Sequence, residues 1–221
     1  MIELLSSVIP LSIGAAFSPT VLAFTLVILG GKTKPRLKAL IMIAGMSIAL
    51  TGLALAAGSL TDVTANTEVK SVTLWLDIGL GIFLIGLGLR SILIKQTDVP
   101  PKPRLKSGAR GGRSVAAFVP IGIVIMLTDF SSIVLFVPAI RDITAASISW
   151  TAKLLVAAIP FIAVLIPASV PLLAVTFSPD KAGQALQKLN VWLARHNRTI
   201  SVSLAFAFGV FLLWKGASKI F

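Results

Sequence analysis

The chain has 221 residues, with 20 Lys plus Arg against 8 Asp plus Glu, 56% hydrophobic residues and 13% charged ones. Soluble domains carry about 45–50% apolar and about 25% charged residues, so this composition excludes a disordered chain, a coiled coil and a water-soluble globule, and reads as an all-α polytopic membrane protein. The absence of cysteine excludes disulfides, thiol redox chemistry and Cys-ligated metals.

A membrane span needs about 20 mostly apolar residues, and six stretches qualify. The first runs from about Leu4 to Gly31, with no charge between Glu3 and Lys32. It has no basic leader and is too long for a signal-peptide core, so it is expected to stay as a helix. Pro10 and Pro19 interrupt it, and Ser18, Pro19 and Thr20 give it a polar centre. The turn that follows, Lys32–Lys38, is basic. The second span, Ala39–Leu60, carries small residues four apart, such as Gly45/Ala49 and Gly52/Ala56. Such spacing lets helices approach closely where lipid gives no hydrophobic drive. The third, about Leu74–Ile94, is studded with Gly79, Gly81, Gly86 and Gly88.

Residues 95–114 form a basic linker rich in Pro and Gly, which separates a first three-helix repeat (1–94) from a second (115–221). The fourth span, Val115–Ile140, contains Pro120 and Pro138 and one charge, Asp129, beside Thr128, Ser131 and Ser132. Arg141–Asp142 after it read as a solvated helix end. The fifth, Leu154–Phe177, holds Pro160, Pro167 and Pro171. Between about 180 and 198 the pattern is amphipathic: Leu186, Leu189 and Leu193 share one face, and Lys181, Lys188 and Arg195 another. This predicts a helix lying in the cytoplasmic headgroups. The sixth span covers Ile200–Trp214 and a little beyond.

Loops one, three and five, with their flanks, carry 15 of the basic residues, and the other side carries 5. The positive-inside bias therefore places those loops in the cytoplasm and both termini outside. Anionic headgroups are the natural partner of these charges, and no nucleic-acid partner is expected. A weak internal repeat aligns GIFLIGLGLRSI from Gly81 with GVFLLWKGASKI from Gly209. Three spans per half force the second half upside down, which gives two inverted three-helix repeats. In transporters of that plan, paired interrupted helices mark the binding site.

Spans one and four are the interrupted pair. The candidate substrate- or ion-binding residues are Asp129, Ser18, Pro19, Thr20, Thr128, Ser131 and Ser132. Asp129 lies near mid-span, where an ionised carboxylate costs at least about 2.5–3.5 kcal/mol. Gain and loss of a proton there is a usable transport step. The competing reading gives Asp129 a structural role on exposed backbone, and has the hydroxyls bonding back to their own helices. No nucleophile triad and no metal cluster is visible, and His196 is the lone histidine. GARGGR (residues 108–113) lacks the Lys-Ser/Thr of a phosphate-binding loop. No enzymatic activity, cofactor or metal is expected.

The C-terminal run Trp192–Leu193, His196–Asn197, then Gly209–Val210, Leu212 and Lys215–Gly216 resembles a family signature. So does the N-terminal run of Ser18–Pro19, Lys34–Pro35–Arg36, Ala39 and Gly45. Together they resemble the GAP family, the peptidoglycolipid- or sulfolipid-addressing proteins of the lysine-exporter (LysE) superfamily. The resemblance implies six helices in two inverted triplets, a multi-pass protein of the bacterial cytoplasmic (inner) membrane, and export without ATP. Relatives commonly carry an Asn-Pro-Lys-like motif in the fourth helix. This chain has Thr128–Asp129–Phe130–Ser131–Ser132 there, so substrate and coupling ion do not transfer directly. Three functions follow as expectations. The first is export of a cell-envelope lipid or glycolipid-like amphiphile. The second is proton-coupled export of a small polar solute through Asp129. The third is a membrane scaffold for lipid-synthesis enzymes. Membrane lipids and a lipid or small-molecule substrate are the expected partners, and a homodimer is compatible with the plan.

Overall fold

The computed structural model describes residues 2–31, 33–63, 78–86, 88–90 and 114–217, and every regular element among them is helical. Helix α1 (Ile2–Ala15) and α2 (Pro19–Leu29) are two limbs of the first apolar stretch, bent by 47°. Helix α3 (Pro35–Val63) follows a sharp reversal at Lys34, whose φ of 45° is left-handed. Pro35 opens α3 because the first turn of a helix has no use for its missing N–H. The next is α4 (Ile78–Arg90, described at 78–86 and 88–90). A short 3₁₀ turn (Val115–Ala117) leads into α5 (Phe118–Thr128), and Asp129 alone separates it from α6 (Phe130–Ala145). The stretch Val115–Thr128 is bent by 78° against Phe130–Ala145. Then come α7 (Trp150–Phe177) and α8 (Pro179–Ala217).

Two helices, Pro35–Ser59 and Trp150–Phe177, are each long and apolar enough to cross a membrane, and each bent pair passes the same test when taken as one. The third and sixth expected spans meet shorter apolar helices, Ile78–Arg90 and Val202–Trp214. Ile13, Ile48, Leu55, Val124 and Ile162 are all more than half exposed. An apolar surface of that extent belongs in lipid.

Two expectations change. Segment 180–198 was to lie flat in the headgroups, yet it runs without a break into the last apolar stretch as one helix of 39 residues. At 1.5 Å per residue that is about 58 Å, longer than the about 30 Å of a hydrocarbon core. Arg141 was expected at a solvated helix end. It is 6% exposed, because α6 continues one more turn to Ala145 and packs there against α1 and α3. Asp142 beside it accepts a hydrogen bond from Ser7 Oγ of α1. Asp77 and the basic linker 95–113 lie outside the described residues.

The close contacts fix which ends lie together. Lys38 Nζ sits 5.5 Å over the Phe118 ring, so α3 and α5 start at the same end. At the opposite end Ser7 of α1 meets Asp142 of α6, and Gly58 of α3 stands beside Thr144 of α6. The first and fourth stretches are therefore antiparallel. Between α3 and α5 the backbones touch. A Cβ on Gly45 would fall on the carbonyl of Val119, and one on Gly122 on the carbonyl of Met42. Met42, Met46 and Met126 fill the rest of this contact and are fully buried. On the other side Phe136 of α6 meets Phe161 of α7 edge to face at 5.3 Å. Gly81 of α4 and Gly209 of α8 meet reciprocally, each placing its missing Cβ 3.0–3.1 Å from the other's carbonyl oxygen.

Candidate functional site

The bend in the first stretch begins with proline chemistry. In a continuous helix the N–H of residue 19 would bond the carbonyl of Ala15. Pro19 has no N–H, so that carbonyl is left without its helical donor. Residues 16–18 leave the helix there, and Ser18 starts α2 as its N-cap, its Oγ accepting from Val21 N at 3.2 Å. A buried carbonyl needs a partner, and more strictly so in lipid. The partner comes from the other half of the chain: Ser132 Oγ donates to Ala15 O at 3.0 Å.

Ser132 is 1% exposed and Asp129 4% exposed, so this junction is buried. Asp129 occupies the N-cap position of α6, but its carboxyl caps no backbone N–H. It meets two hydroxyls instead, Ser131 Oγ at 2.7 Å on Oδ1 and Ser132 Oγ at 2.6 Å on Oδ2. The chain Ser131–Asp129–Ser132–Ala15 thus ties the break of one bent pair to the break of the other.

The other hydroxyls turn to their own helices. Thr128 Oγ1 bonds Val124 O and Ile125 O, and Thr25 Oγ1 bonds Val21 O. Thr20 and Thr128 are exposed, and neither lines the cavity described next. Of the seven residues picked from sequence, Asp129, Ser131 and Ser132 form the junction, Ser18 and Pro19 shape the opposite break, and Thr20 and Thr128 stand apart. Ala15 contributes only a backbone oxygen, and the signal for it was the proline four residues later.

Beside the junction lies a cavity of about 170 Å³, open on one side and bordered by both breaks, α4 and α8. Gly14, Phe17 and Pro19 line it from the first stretch, and Phe130, Ser131, Val134 and Leu135 from the fourth. Leu84, Gly88, Leu204, Ala205 and Phe208 close the far wall. Among the described residues its only polar side chain, Ser131, already bonds Asp129. The space therefore offers hydrocarbon contact rather than hydrogen bonds. A second apolar groove, between α1 and α7, shares Phe17 with it. Sequence reasoning missed the far wall, because nothing in a single helix tells which of its apolar residues faces a gap.

Pro19→Ala restores the missing N–H, which then competes with Ser132 for Ala15 O. We expect the 47° bend to shrink and the tie to Ser132 to weaken, read as a longer distance between spin labels placed on α1 and α6.

Among the described residues, no group of three or more His, Cys, Asp or Glu side chains comes together. No curated protein and no solved structure matches the chain. The family model of Sap, the sulfolipid-1-addressing protein, matches residues 8–218. That match takes in both breaks, their junction and the cavity, and the chain belongs to the sulfolipid-1-addressing protein family.

Proposed function

We propose that this protein exports a lipid-like amphiphile from the cytoplasmic side of the membrane toward the cell envelope, with an apolar chain of the cargo seated between the two broken helices. One observation carries the proposal: the cavity at the crossing of the breaks is apolar, and the nearby hydroxyls are engaged with one another. An amino acid or hydrated ion would find almost nothing there to replace its water. An acyl chain would find Phe17, Phe130, Phe208, Leu84 and Leu204. The family's description speaks of addressing a sulfolipid, which fits a cargo with a polar head and hydrocarbon tails.

The finer architecture belongs to the same proposal. Six spans form two inverted triplets in the bacterial cytoplasmic membrane, with both termini outside, on the plan of the lysine-exporter superfamily. The antiparallel bent pairs support it. So does the reciprocal Gly81–Gly209 contact, which pairs two positions aligned by the internal repeat. Residues related by a two-fold axis touch in that self-complementary way.

The test uses the full chain in lipid nanodiscs with a phospholipid bearing a photoactivatable acyl chain. Labelling is expected at Phe17, Phe130 or Phe208. Ala205→Trp fills the cavity and is expected to cut that labelling at least several-fold, along with the export of envelope lipid by cells that depend on the protein. Labelling spread evenly over the exposed apolar surface, and unchanged by Ala205→Trp, would defeat the proposal.

A further inference from the structure

Ser132 Oγ carries one hydrogen but has two oxygen neighbours at hydrogen-bond distance, Ala15 O at 3.0 Å and Asp129 Oδ2 at 2.6 Å. The carbonyl can only accept. If the serine hydrogen goes to Ala15, the contact with Asp129 needs a second hydrogen, and only the carboxyl can bring it. If the serine hydrogen goes to Asp129, the carbonyl orphaned by Pro19 is left unbonded inside the membrane. A proton on Asp129 Oδ2 satisfies every contact: Oδ2–H donates to Ser132 Oγ, Ser132 donates to Ala15 O, and Ser131 donates to Oδ1.

We propose that Asp129 and Ser132 form a proton-binding site that latches the two broken helices together, and that release of the proton opens the latch. Without the proton, the carboxylate draws the Ser132 hydrogen away from Ala15, the two breaks lose their one direct bond, and each is free to move. Among the described residues, no other ionisable group competes for the role. Helices α2 and α5 carry none, α1 carries only Glu3 at its start, and α7 only Lys153 near its start. Helix α3 has Arg36 and Lys38 at one end and Asp62 at the other, α4 ends at Arg90, and residues 202–214 of α8 are uncharged. Arg141 and Asp142 of α6 lie about 18 Å along the helix from Asp129, at 1.5 Å per residue. The latch is independent of what the cavity holds, so the acyl-chain proposal and this one fail separately.

The chain has no cysteine, so a pair of introduced ones labels cleanly. Thr20→Cys and Leu127→Cys are exposed, flank the two breaks and stand outside both the latch and the cavity. Spin labels at this pair in full-length protein in nanodiscs are expected to give one short distance at acidic pH. As pH rises, a longer-distance population should replace it, with the same midpoint as the loss of the infrared band of a protonated carboxyl that Asp129→Asn removes. Asparagine can donate to Ser132 and accept from Ser131, so Asp129→Asn should hold the short distance at every pH. Ser131→Ala should keep the response, and Ser132→Ala should lose it. A distance unchanged while the carboxyl band disappears would overturn the latch. So would a full response in Ser132→Ala, a response in Asp129→Asn, or one driven by sodium at constant pH. Should Ser132→Ala fail to fold, the comparison of wild type with Asp129→Asn decides alone.

Discussion

Asp129→Asn is expected to stop export while leaving the protein folded. Asn fills the same volume, accepts from Ser131 and donates to Ser132, so the bond chain from Ser131 to Ala15 survives. What it lacks is the ability to let go. A transporter must leave each conformation as readily as it enters it, and a junction held by a permanent amide donor keeps one arrangement only. Lipid export by cells carrying the variant should fall to the level of cells without the protein, with unchanged yield and helix content of the purified chain. Asp129→Ala is expected to agree with it. It removes the carboxylate that draws the Ser132 hydrogen away, leaves Ser132 to serve Ala15 alone, and should likewise hold the short distance at every pH and fail to export. Wild-type export by Asp129→Asn would remove the carboxyl from the mechanism altogether.

Gly122→Leu is expected to cause the largest loss of stability in the molecule. The Cβ alone would fall on the Met42 carbonyl, and its next neighbours are backbone atoms of Met42 and Met46. Side chains can turn aside when crowded, but two helix backbones can only move apart. Moving them apart uncovers Met42, Met46 and Met126, which are fully buried between α3 and α5. Ordinary overpacking costs about 1–3 kcal/mol, and this site lies at or above the top of that range because nothing flexible faces it. The thermal midpoint in detergent should drop sharply, and much of the expressed protein should leave the membrane fraction as aggregate. Gly45→Leu should behave alike, since its Cβ meets the Val119 carbonyl. Gly52→Leu on the same helix is the control. Nothing lies within 4 Å of its Cβ, so stability should hardly change.

That contrast also shows how far the sequence reached. Gly45 and Gly52 carry the same small-residue spacing in α3, and the pattern marks both as packing positions. Only Gly45 packs, because α5 crosses α3 near its start. The same holds for the hydroxyls. Ser132 and Thr128 looked equivalent beside Asp129, yet Thr128 bonds its own helix and Ser132 reaches α1. Arg141 read as solvated because charge near a span's end usually is, and the extra turn of α6 buried it.

By itself the sequence determined the membrane character, through long apolar stretches, and that spans one and four are interrupted, through their prolines and polar centres. Both follow from local chemistry: a proline removes its N–H wherever it stands, and a carboxyl in hydrocarbon must find hydrogen bonds. The tertiary structure decided which orphaned carbonyl meets which hydroxyl and where an apolar cavity opens. Those depend on the crossing of helices more than a hundred residues apart, as Ala15 and Ser132 are, and no local rule carries that far along a chain.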